Sequence, residues 1–252
     1  MLQNRVIPCL LLKGDGLVKT EKFRNPKYVG DPINAVKIFN TKEVDELIFL
    51  DIMASSLGTP PNYQMIADIA SECFMPFCYG GGIRTVVEAK RILSIGAEKV
   101  SVNAAALRDT TFIRELSKQV GSQSVVISMD VKRPLLGRYE IFDHSVNKPF
   151  KADPVAYAKA MERSGAGEIL VNSVDRDGTM SGYDLKLVKM IADEVTIPTI
   201  ICGGAGELSH FRLAVESGAS AVAAGSMFVF IGKHKAVLIN YPEYKEIRQL
   251  FE

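Results

Sequence analysis

Two glycine-rich segments stand where a protein could hold phosphate groups. Gly80-Gly81-Gly82 and Gly203-Gly204 each end a short apolar run and precede a segment with helical periodicity. Backbone N–H groups at such a junction are free to bind an anion. Asn103-Ala104 and Gly225-Ser226 end the next apolar runs, so the four segments would form two phosphate sites. The alternative interpretation is that these glycines only permit tight turns.

Carboxylates at the ends of other apolar runs could transfer protons. Asp51 and Asp130 end two such runs, and the polar segment 175–179 follows a third. A carboxylate in this position can serve as a general acid or base, although Asp130 could instead cap the segment that follows it. Near the start of the chain the position equivalent to Asp130 holds Leu11, which cannot exchange protons.

The elements that carry these residues alternate between two patterns. Short apolar runs rich in β-branched residues, without polar alternation, are separated by amphipathic segments with helical spacing. Strands of this kind are typical of a parallel sheet buried on both faces. The eight predicted strands are 5–12, 46–52, 75–79, 99–103, 124–131, 168–173, 198–202 and 221–226. We therefore predict an α/β fold, a single (β/α)8 TIM barrel over residues 1–252.

The sequence also resembles itself at an offset of 122 residues. The segment from Pro76 to Gly82 matches the segment from Pro198 to Gly204, and Gly96 matches Gly218. Near the first and fifth strands the offset is 119. Such an internal repeat predicts two duplicated half-barrels of four units each, and it places the two phosphate sites on opposite sides of the barrel mouth, the face formed by the carboxyl ends of the strands.

Four charges lie at or near the amino ends of predicted strands, on the opposite face, which we call the barrel floor. They are Arg5, Glu46, Lys99 and Glu168. Charges removed from water there need partners, so we expect a ring of salt bridges. The ring is either a stabilising plug or a gate for something small and polar.

Two long connections break the regular pattern. We predict an irregular and functional connection over residues 13–32, and a small hairpin within residues 133–154.

The four cysteines, at 9, 73, 78 and 202, lie in strand-like apolar segments and are expected to be buried free thiols. The three histidines form no motif for a metal, and we expect neither a metal nor a cofactor.

Composition excludes several classes of partner. The chain has 30 basic and 29 acidic residues, a net charge of +1 and 47% hydrophobic residues, so neither nucleic acid nor a membrane surface is an expected partner. The longest apolar run, 219–231, is shorter than the roughly 18–20 residues of a membrane span. With no cleavage pattern at the start of the chain, we expect a cytoplasmic protein.

The motifs together resemble the cyclase subunit of imidazole glycerol phosphate synthase, a duplicated half-barrel enzyme of histidine biosynthesis, over nearly the whole chain. The matching segments are 6–10, 49–52, 80–84, 99–103, 121–125, 165–169, 175–179 and 203–206. In that family a glutaminase binds the barrel floor, and its ammonia passes through the barrel to react with a bisphosphorylated ribulosyl ligand at the mouth.

The resemblance implies roles for individual residues. Asp130 matches a catalytic aspartate and Lys19 a functional lysine of the first long loop. The four floor charges match the family's ammonia gate, and Glu98 matches an acidic residue that faces the glutaminase. The positions matching phosphate-binding residues are Gly82, Asn103, Asp177, Gly178, Gly204 and Ser226.

Leu11 departs from the family, which has its second catalytic aspartate there. Together with the segments 9–13 and 25–32, it resembles a divergent paralogue class associated with surface-polysaccharide (lipopolysaccharide O-antigen) genes. These paralogues are thought to work with a glutaminase homologue and a sugar amidotransferase, supplying ammonia that converts an acetamido sugar into an acetamidino sugar.

Three functions follow from the resemblance. The first is an ammonia-channelling synthase-type subunit of a glutamine amidotransferase that serves sugar amidination. The second is a genuine histidine-biosynthesis cyclase whose second acid has moved, for example to Asp15 or Asp51. The third is a non-catalytic activator of a glutaminase.

Overall fold

The computed structural model describes residues 4–134 and 137–251. Eight parallel strands pair in chain order, and the sixth pairs with the fifth and seventh while the eighth returns to the first, which closes the barrel. The barrel strands are β1 (Arg5–Lys13), β2 (Leu47–Asp51), β3 (Phe77–Gly80), β4 (Lys99–Val102), β5 (Val125–Lys132), β6 (Glu168–Ser173), β7 (Thr199–Cys202) and β8 (Ala221–Ala224). The predicted (β/α)8 barrel is confirmed.

A helix follows each barrel strand on the outside. These helices are α1 (Pro32–Thr41), α2 (Tyr63–Glu72), α3 (Val86–Ile95), α4 (Thr110–Val120), α5 (Pro154–Arg163), α6 (Leu185–Ala192), α7 (Leu208–Glu216) and α8 (Tyr244–Phe251). Local sequence sets their ends: Thr85 and Glu88 form a capping box at the start of α3, and Gly96 ends it with a φ of 135°. Short helices at Ala54–Leu57, Ala104–Arg108 and Ser226–Val229 follow β2, β4 and β8 near the mouth.

The two halves of the barrel share one register. Cys9 pairs with Ile48 between β1 and β2, and the repeat-equivalent residues Ser128 and Leu170 pair between β5 and β6. Gly80 pairs with Ser101, as Cys202 pairs with Ala223. The duplication read from the sequence is therefore retained in the backbone, and Leu11 occupies the position in the first half that Asp130 occupies in the second.

The core has two layers. The larger layer packs the helices against the outside of the barrel, and the smaller fills its interior with inward-facing residues from seven of its eight strands. The interior layer comprises Ile7, Cys9, Ile48, Cys78, Val126, Leu170, Ile200, Cys202, Ala221 and Ala223. A packed interior holds the strand ends rigidly, and the strand ends position the site.

Two predictions were wrong in detail. Residues 13–32 are not irregular: Gly16–Glu21 and Arg24–Gly30 form an antiparallel hairpin, which we call the cover hairpin. Cys73 is half-buried at the end of α2 rather than buried in a strand. The predicted hairpin after β5 is present as Glu140–Asp143 and Lys148–Phe150. Among the helices of the described residues, none is long and apolar enough to cross a membrane.

Candidate functional site

A cavity of about 370 Å³ opens at the mouth of the barrel. It brings together the residues that the family resemblance assigns to catalysis or phosphate binding, although these residues come from separate parts of the chain. They are Lys19, Gly82, Asn103, Asp130, Asp177, Gly178, Gly204 and Ser226, and Leu11 lines the same cavity. Of the two candidates for a displaced second acid, Asp51 lines this cavity and Asp15 does not.

Asp130 lies at the polar side of this cavity and is only 6% exposed. Asn103 donates a hydrogen bond of 2.9 Å to its carboxylate, and Asn172 on β6 is paired in register with Asp130 on β5. Burial raises the pKa of the Asp130 carboxyl to about 7, the amide groups of Asn103 and Asn172 lower it, and the charge of Asp177 raises it. Near neutral pH this group is therefore able to give or take a proton.

The opposite side of the cavity is apolar. Leu11 and Leu50 line it, together with Cys9 and Cys202. The hydrogen bond between the two thiols, followed by burial, holds the pKa of Cys202 well above its usual value. Because the thiolate is the reactive form of cysteine, this thiol is a poor nucleophile. Leu11 itself offers no acid, and the other carboxylates that line the cavity, Asp51, Asp143 and Asp177, already accept hydrogen bonds from neighbouring donors.

The cover hairpin lies across the mouth and is attached to the loop after β6. The Lys19 ammonium lies 2.6 Å from the Asp177 carboxylate, the Thr20 hydroxyl donates to the same carboxylate at 2.9 Å, and the Lys22 N–H donates to the Asp177 carbonyl at 2.9 Å. A Cβ on Gly178 would overlap the Thr20 carbonyl. Asp177 thus holds Lys19 in place.

An aromatic contact closes the other edge of the cover hairpin. Phe23 stacks on His144 with ring centroids 4.2 Å apart and planes nearly parallel, and Phe142 packs against the same imidazole at 4.7 Å. Burial lowers the pKa of His144 to about 4, and the charge of Lys132 lowers it further. The imidazole is therefore neutral at pH 7, and its buried Nε2 has no partner among the described residues.

The two glycine turns repeat each other in space as well as in sequence. Gly82 and Gly204 have φ values of 72° and 119°. A Cβ on Gly82 would lie 2.9 Å from the Thr59 carbonyl, and one on Gly204 would overlap the Gly182 carbonyl. The tight turns alone require glycine at both places. A role in binding anions rests instead on the neighbouring Ser226 hydroxyl, a donor that is buried without a partner in the described residues.

At the floor, the four predicted charges form one ring. Arg5 contacts Glu46 and lies 2.9 Å from Glu168, and Lys99 lies 3.0 Å from Glu46 and 3.2 Å from Glu168. Burial lowers the pKa of Arg5, but the charges of Glu168 and Glu46 outweigh that effect and raise it. Signs alternate around the ring, so each charge faces two opposite charges.

Polar groups continue upward from this ring on two neighbouring strands. Ser101 on β4 lies between Lys99 and Asn103, and Ser128 on β5 lies below Asp130. Both are buried, and the Ser101 hydroxyl has no partner in the described part of the chain. A polar strip therefore links the floor ring to the acid at the mouth.

The outer surface of the floor carries Glu98 and an exposed aromatic. Glu98 is exposed immediately before Lys99. Phe74, in the connection between α2 and β3, is 85% exposed, the highest value among the described large hydrophobic residues. A large exposed aromatic of this kind is typical of a binding surface.

The comparisons with known proteins agree with this architecture. A family model described as "Histidine biosynthesis protein" matches residues 5–235. The chain belongs to this family. A Pseudomonas aeruginosa member, provisionally named imidazole glycerol phosphate synthase subunit hisF2, is 54% identical over 248 residues, covering 98% of this chain and 99% of that protein. A Vibrio vulnificus member, provisionally named subunit hisF3, is 49% identical over all of this chain and 98% of that protein.

A member with an unqualified name is more distant. The imidazole glycerol phosphate synthase subunit HisF of Streptomyces coelicolor is 41% identical over 241 residues, covering 94% of this chain and 96% of that protein. The family resemblance read from the sequence is thus confirmed. In the described residues, no group of three or more histidine, cysteine or acidic side chains is placed to hold a metal ion.

Sequence reasoning missed several members of the site. Asn172 is the repeat equivalent of Leu50. Comparing the two halves at the 122-residue offset could have identified it, because the second half has a polar residue at the mouth where the first half has an apolar one. Phe23 and His144 carried no usable signal, because their contact joins two hairpins separated by more than a hundred residues. Asp45, which accepts a hydrogen bond from the Val6 N–H beside the floor ring, was also missed.

Proposed function

We propose that this chain is the ammonia-channelling, synthase-type subunit of a glutamine amidotransferase. The observation that carries the proposal is the arrangement of the mouth. The buried Asp130 carboxyl, whose pKa is raised to about 7, lies beside two anion cradles and above a closed floor ring, and Leu11 stands where the repeat would place a second acid. A phosphorylated acceptor occupies the mouth, and a glutaminase binds the floor around Phe74 and Glu98.

In this proposal ammonia enters through the floor ring. Arg5 and Lys99 exchange partners between Glu46 and Glu168 when the ring opens, so neither cation loses all its counter-charges. Ammonia then passes Ser101 and Ser128, whose hydroxyls accept and donate hydrogen bonds to it. It emerges beside Asp130, which accepts or returns protons as the nitrogen attacks.

The phosphate groups of the acceptor bind at opposite sides of the mouth. One cradle comprises Gly82 and Asn103, and the other comprises Gly178, Gly204 and Ser226. Lys19, held by Asp177, covers the ligand from above. These assignments follow the family resemblance, and the unpartnered Ser226 hydroxyl supports them.

The finer proposal is a cytoplasmic role in surface-polysaccharide biosynthesis, in which the ammonia serves amidination of an acetamido sugar. There the nitrogen adds to the acetamido carbon of the acceptor at the mouth and the carbonyl oxygen leaves as water, with a sugar amidotransferase as a further partner of the complex. The missing acid at Leu11 supports this role, because losing a proton-transfer group costs about 10²–10⁴-fold in rate. The second candidate is a histidine-pathway cyclase, favoured by the 41% identity to the Streptomyces coelicolor protein.

The decisive experiment measures cyclisation of the bisphosphorylated ribulosyl intermediate with an ammonium salt. We expect the purified chain to be at least about 100-fold slower than the Streptomyces coelicolor subunit. Equal rates would overturn the proposal in favour of the cyclase. A large gain in cyclisation rate in Leu11→Asp would indicate a cyclase that has lost its second acid. The matched control is Leu50→Asp, which places an acid in the same cavity at a position that is not the repeat equivalent of Asp130.

Partner binding is tested separately. A glutaminase should co-purify with the chain, and Phe74→Asp should reduce its retention while Phe74→Leu retains it.

Titration of the chain with a bisphosphate distinguishes a synthase from a mere activator, because an activator would bind none at millimolar concentration.

A further inference from the structure

A second cavity, of about 590 Å³, lies beside the mouth, and the proposed function does not account for it. It shares Lys19, Thr20, Gly178 and Ser226 with the mouth cavity, so the two spaces meet at one of the anion cradles. Its outer wall is the cover hairpin. We call it the basic cavity.

The charges around the basic cavity are strongly one-sided. Six cations line it: Lys19, Lys22, Arg24, Lys27, Lys132 and Lys235. The carboxylates that line it are Glu21 and Asp175. Glu21 already pairs with Lys235 at 3.1 Å, and Lys19 pairs with Asp177. This local imbalance contrasts with the whole chain, whose net charge is +1.

The remaining cations are positioned without being neutralised. Lys132 lies 3.5 Å above the ring of Phe142, and Lys27 lies 5.2 Å above the ring of Phe230. Ring faces hold a cation by their quadrupole and leave its charge available to a ligand. Within the described ranges, no carboxylate lies within 4.0 Å of the Lys22 or Arg24 side chain.

The turn of the cover hairpin has an unfavourable backbone conformation that contacts with other segments hold in place. Glu21 pairs with Arg24, so Lys22 and Phe23 form a two-residue turn. Their φ values are 51° and 61°, in the left-handed region where Gly, Asn and Asp are preferred. A residue of another type in this region raises the conformational free energy of the folded chain by about 1 kcal/mol. The turn is instead secured by Asp177 and by the stacking of Phe23 on His144.

We propose that the basic cavity binds a diphosphate group of a ligand whose other end occupies the mouth. Cations from the cover hairpin and from the end of β5 approach the cavity from different sides, which suits two linked phosphates better than one. Because the two cavities meet at Gly178 and Ser226, a diphosphate bound in the basic cavity can belong to the same molecule as the acceptor in the mouth. This inference rests on the proposed function for the role of the mouth, and it names the acceptor class as a diphosphate ester.

The test is calorimetric titration of the full chain with inorganic pyrophosphate, inorganic phosphate and UDP-N-acetylglucosamine. We expect pyrophosphate to bind at least tenfold more tightly than phosphate. Lys22→Gln/Arg24→Gln should weaken pyrophosphate binding at least tenfold while leaving the melting temperature unchanged. The control is Lys118→Gln/Lys186→Gln, which removes the same charge from exposed positions on α4 and α6 and should leave binding within twofold.

The two diphosphate probes distinguish the source of the group. Tenfold weakening of both in the double variant supports a diphosphate ester, and weakening of pyrophosphate alone supports a free polyphosphate in the same cavity. Equal pyrophosphate binding by the wild type and the Lys22/Arg24 variant, or none at millimolar concentration, would overturn the inference. Neither result affects the cyclisation and glutaminase assays, so failure here is distinct from failure of the proposed function.

Discussion

Removing one charge from the floor ring should destabilise the barrel, and removing a second charge should then cost less than it does on its own. Glu46 is the best target, because its side chain is 3% exposed and it contacts both Arg5 and Lys99. Glu46→Gln keeps the shape and leaves two cations to share Glu168. The free energy of unfolding reports this effect in the absence of substrate and partner.

The magnitude follows from burial. Breaking a fully buried pair by removing one partner costs about 3–5 kcal/mol. The Arg5 and Lys99 side chains are 25% and 15% exposed, so water relieves part of the penalty. We expect about 2–3 kcal/mol for Glu46→Gln. For a chain of this size that lowers the melting temperature by about 4–12 °C.

The assay is chemical and thermal denaturation of a double-mutant cycle. Lys99→Gln alone should cost a similar amount, whereas Glu46→Gln/Lys99→Gln leaves Arg5 paired with Glu168 at 2.9 Å. The double variant should therefore be more stable than the sum of the singles predicts, by about 1–2 kcal/mol. The control pair is Lys159 and Glu194, 2.7 Å apart but 43% and 46% exposed, where each change should cost less than about 1 kcal/mol.

Additivity at the ring would refute this reasoning. If the single costs at Glu46 and Lys99 sum to the double within about 0.5 kcal/mol, the four charges do not act as one unit. Single costs no larger than those of the exposed control pair would show that water screens the ring. Either result would also weaken the proposed gate, because a gate must close by mutual attraction.

Three further predictions concern the mouth. In the folded chain Asp130 has a pKa of about 7, well above the usual value of 3.8. Between these pH values the folded chain keeps a proton that the unfolded chain releases, so the stability of the wild type falls as pH rises. Relative to wild type, Asp130→Asn should therefore gain on the order of a few kcal/mol between pH 4 and pH 8 in urea titrations, and a pH-independent difference would contradict the raised pKa. Phe23→Ala, which removes the stacking on His144, should speed proteolysis within the cover hairpin several-fold, while Phe23→Tyr should not. Gly204→Ala should lower stability by at least about 2 kcal/mol and weaken binding of a phosphate ester, whereas Gly14→Ala, also at positive φ but in open space, should cost only about 1 kcal/mol.

The barrel could be read from the sequence because its signals are local and repeated. Each end of every predicted strand lies within two residues of the corresponding end of an observed strand. Strands buried on both faces form uninterrupted apolar runs, which are easy to recognise in a sequence. The self-match at 122 residues then supplied the symmetry. Register follows from the same repeat, which is why Leu11 could be identified as the counterpart of Asp130.

What could not be predicted depends on contacts between distant segments. The cover hairpin turns at Lys22 and Phe23, neither of which is a usual turn residue. Its conformation is fixed by Asp177 and His144, far along the chain. The basic cavity could not be predicted from the sequence for the same reason, because Lys22 and Lys132 come from segments more than a hundred residues apart.

The symmetry of the backbone makes the asymmetry of the side chains informative. Asp130 and Leu11 occupy equivalent places, yet one is flanked by Asn103 and Asn172 and the other by Leu50 and Gly225. Two acids facing each other would suit a reaction that protonates one end of a ligand and deprotonates the other. With Leu11 in place of a second acid opposite Asp130, we expect proton transfer on the side where the polar strip from Ser101 and Ser128 arrives. In the proposed function, this side receives the ammonia, and the apolar wall holds the part of the acceptor that does not react.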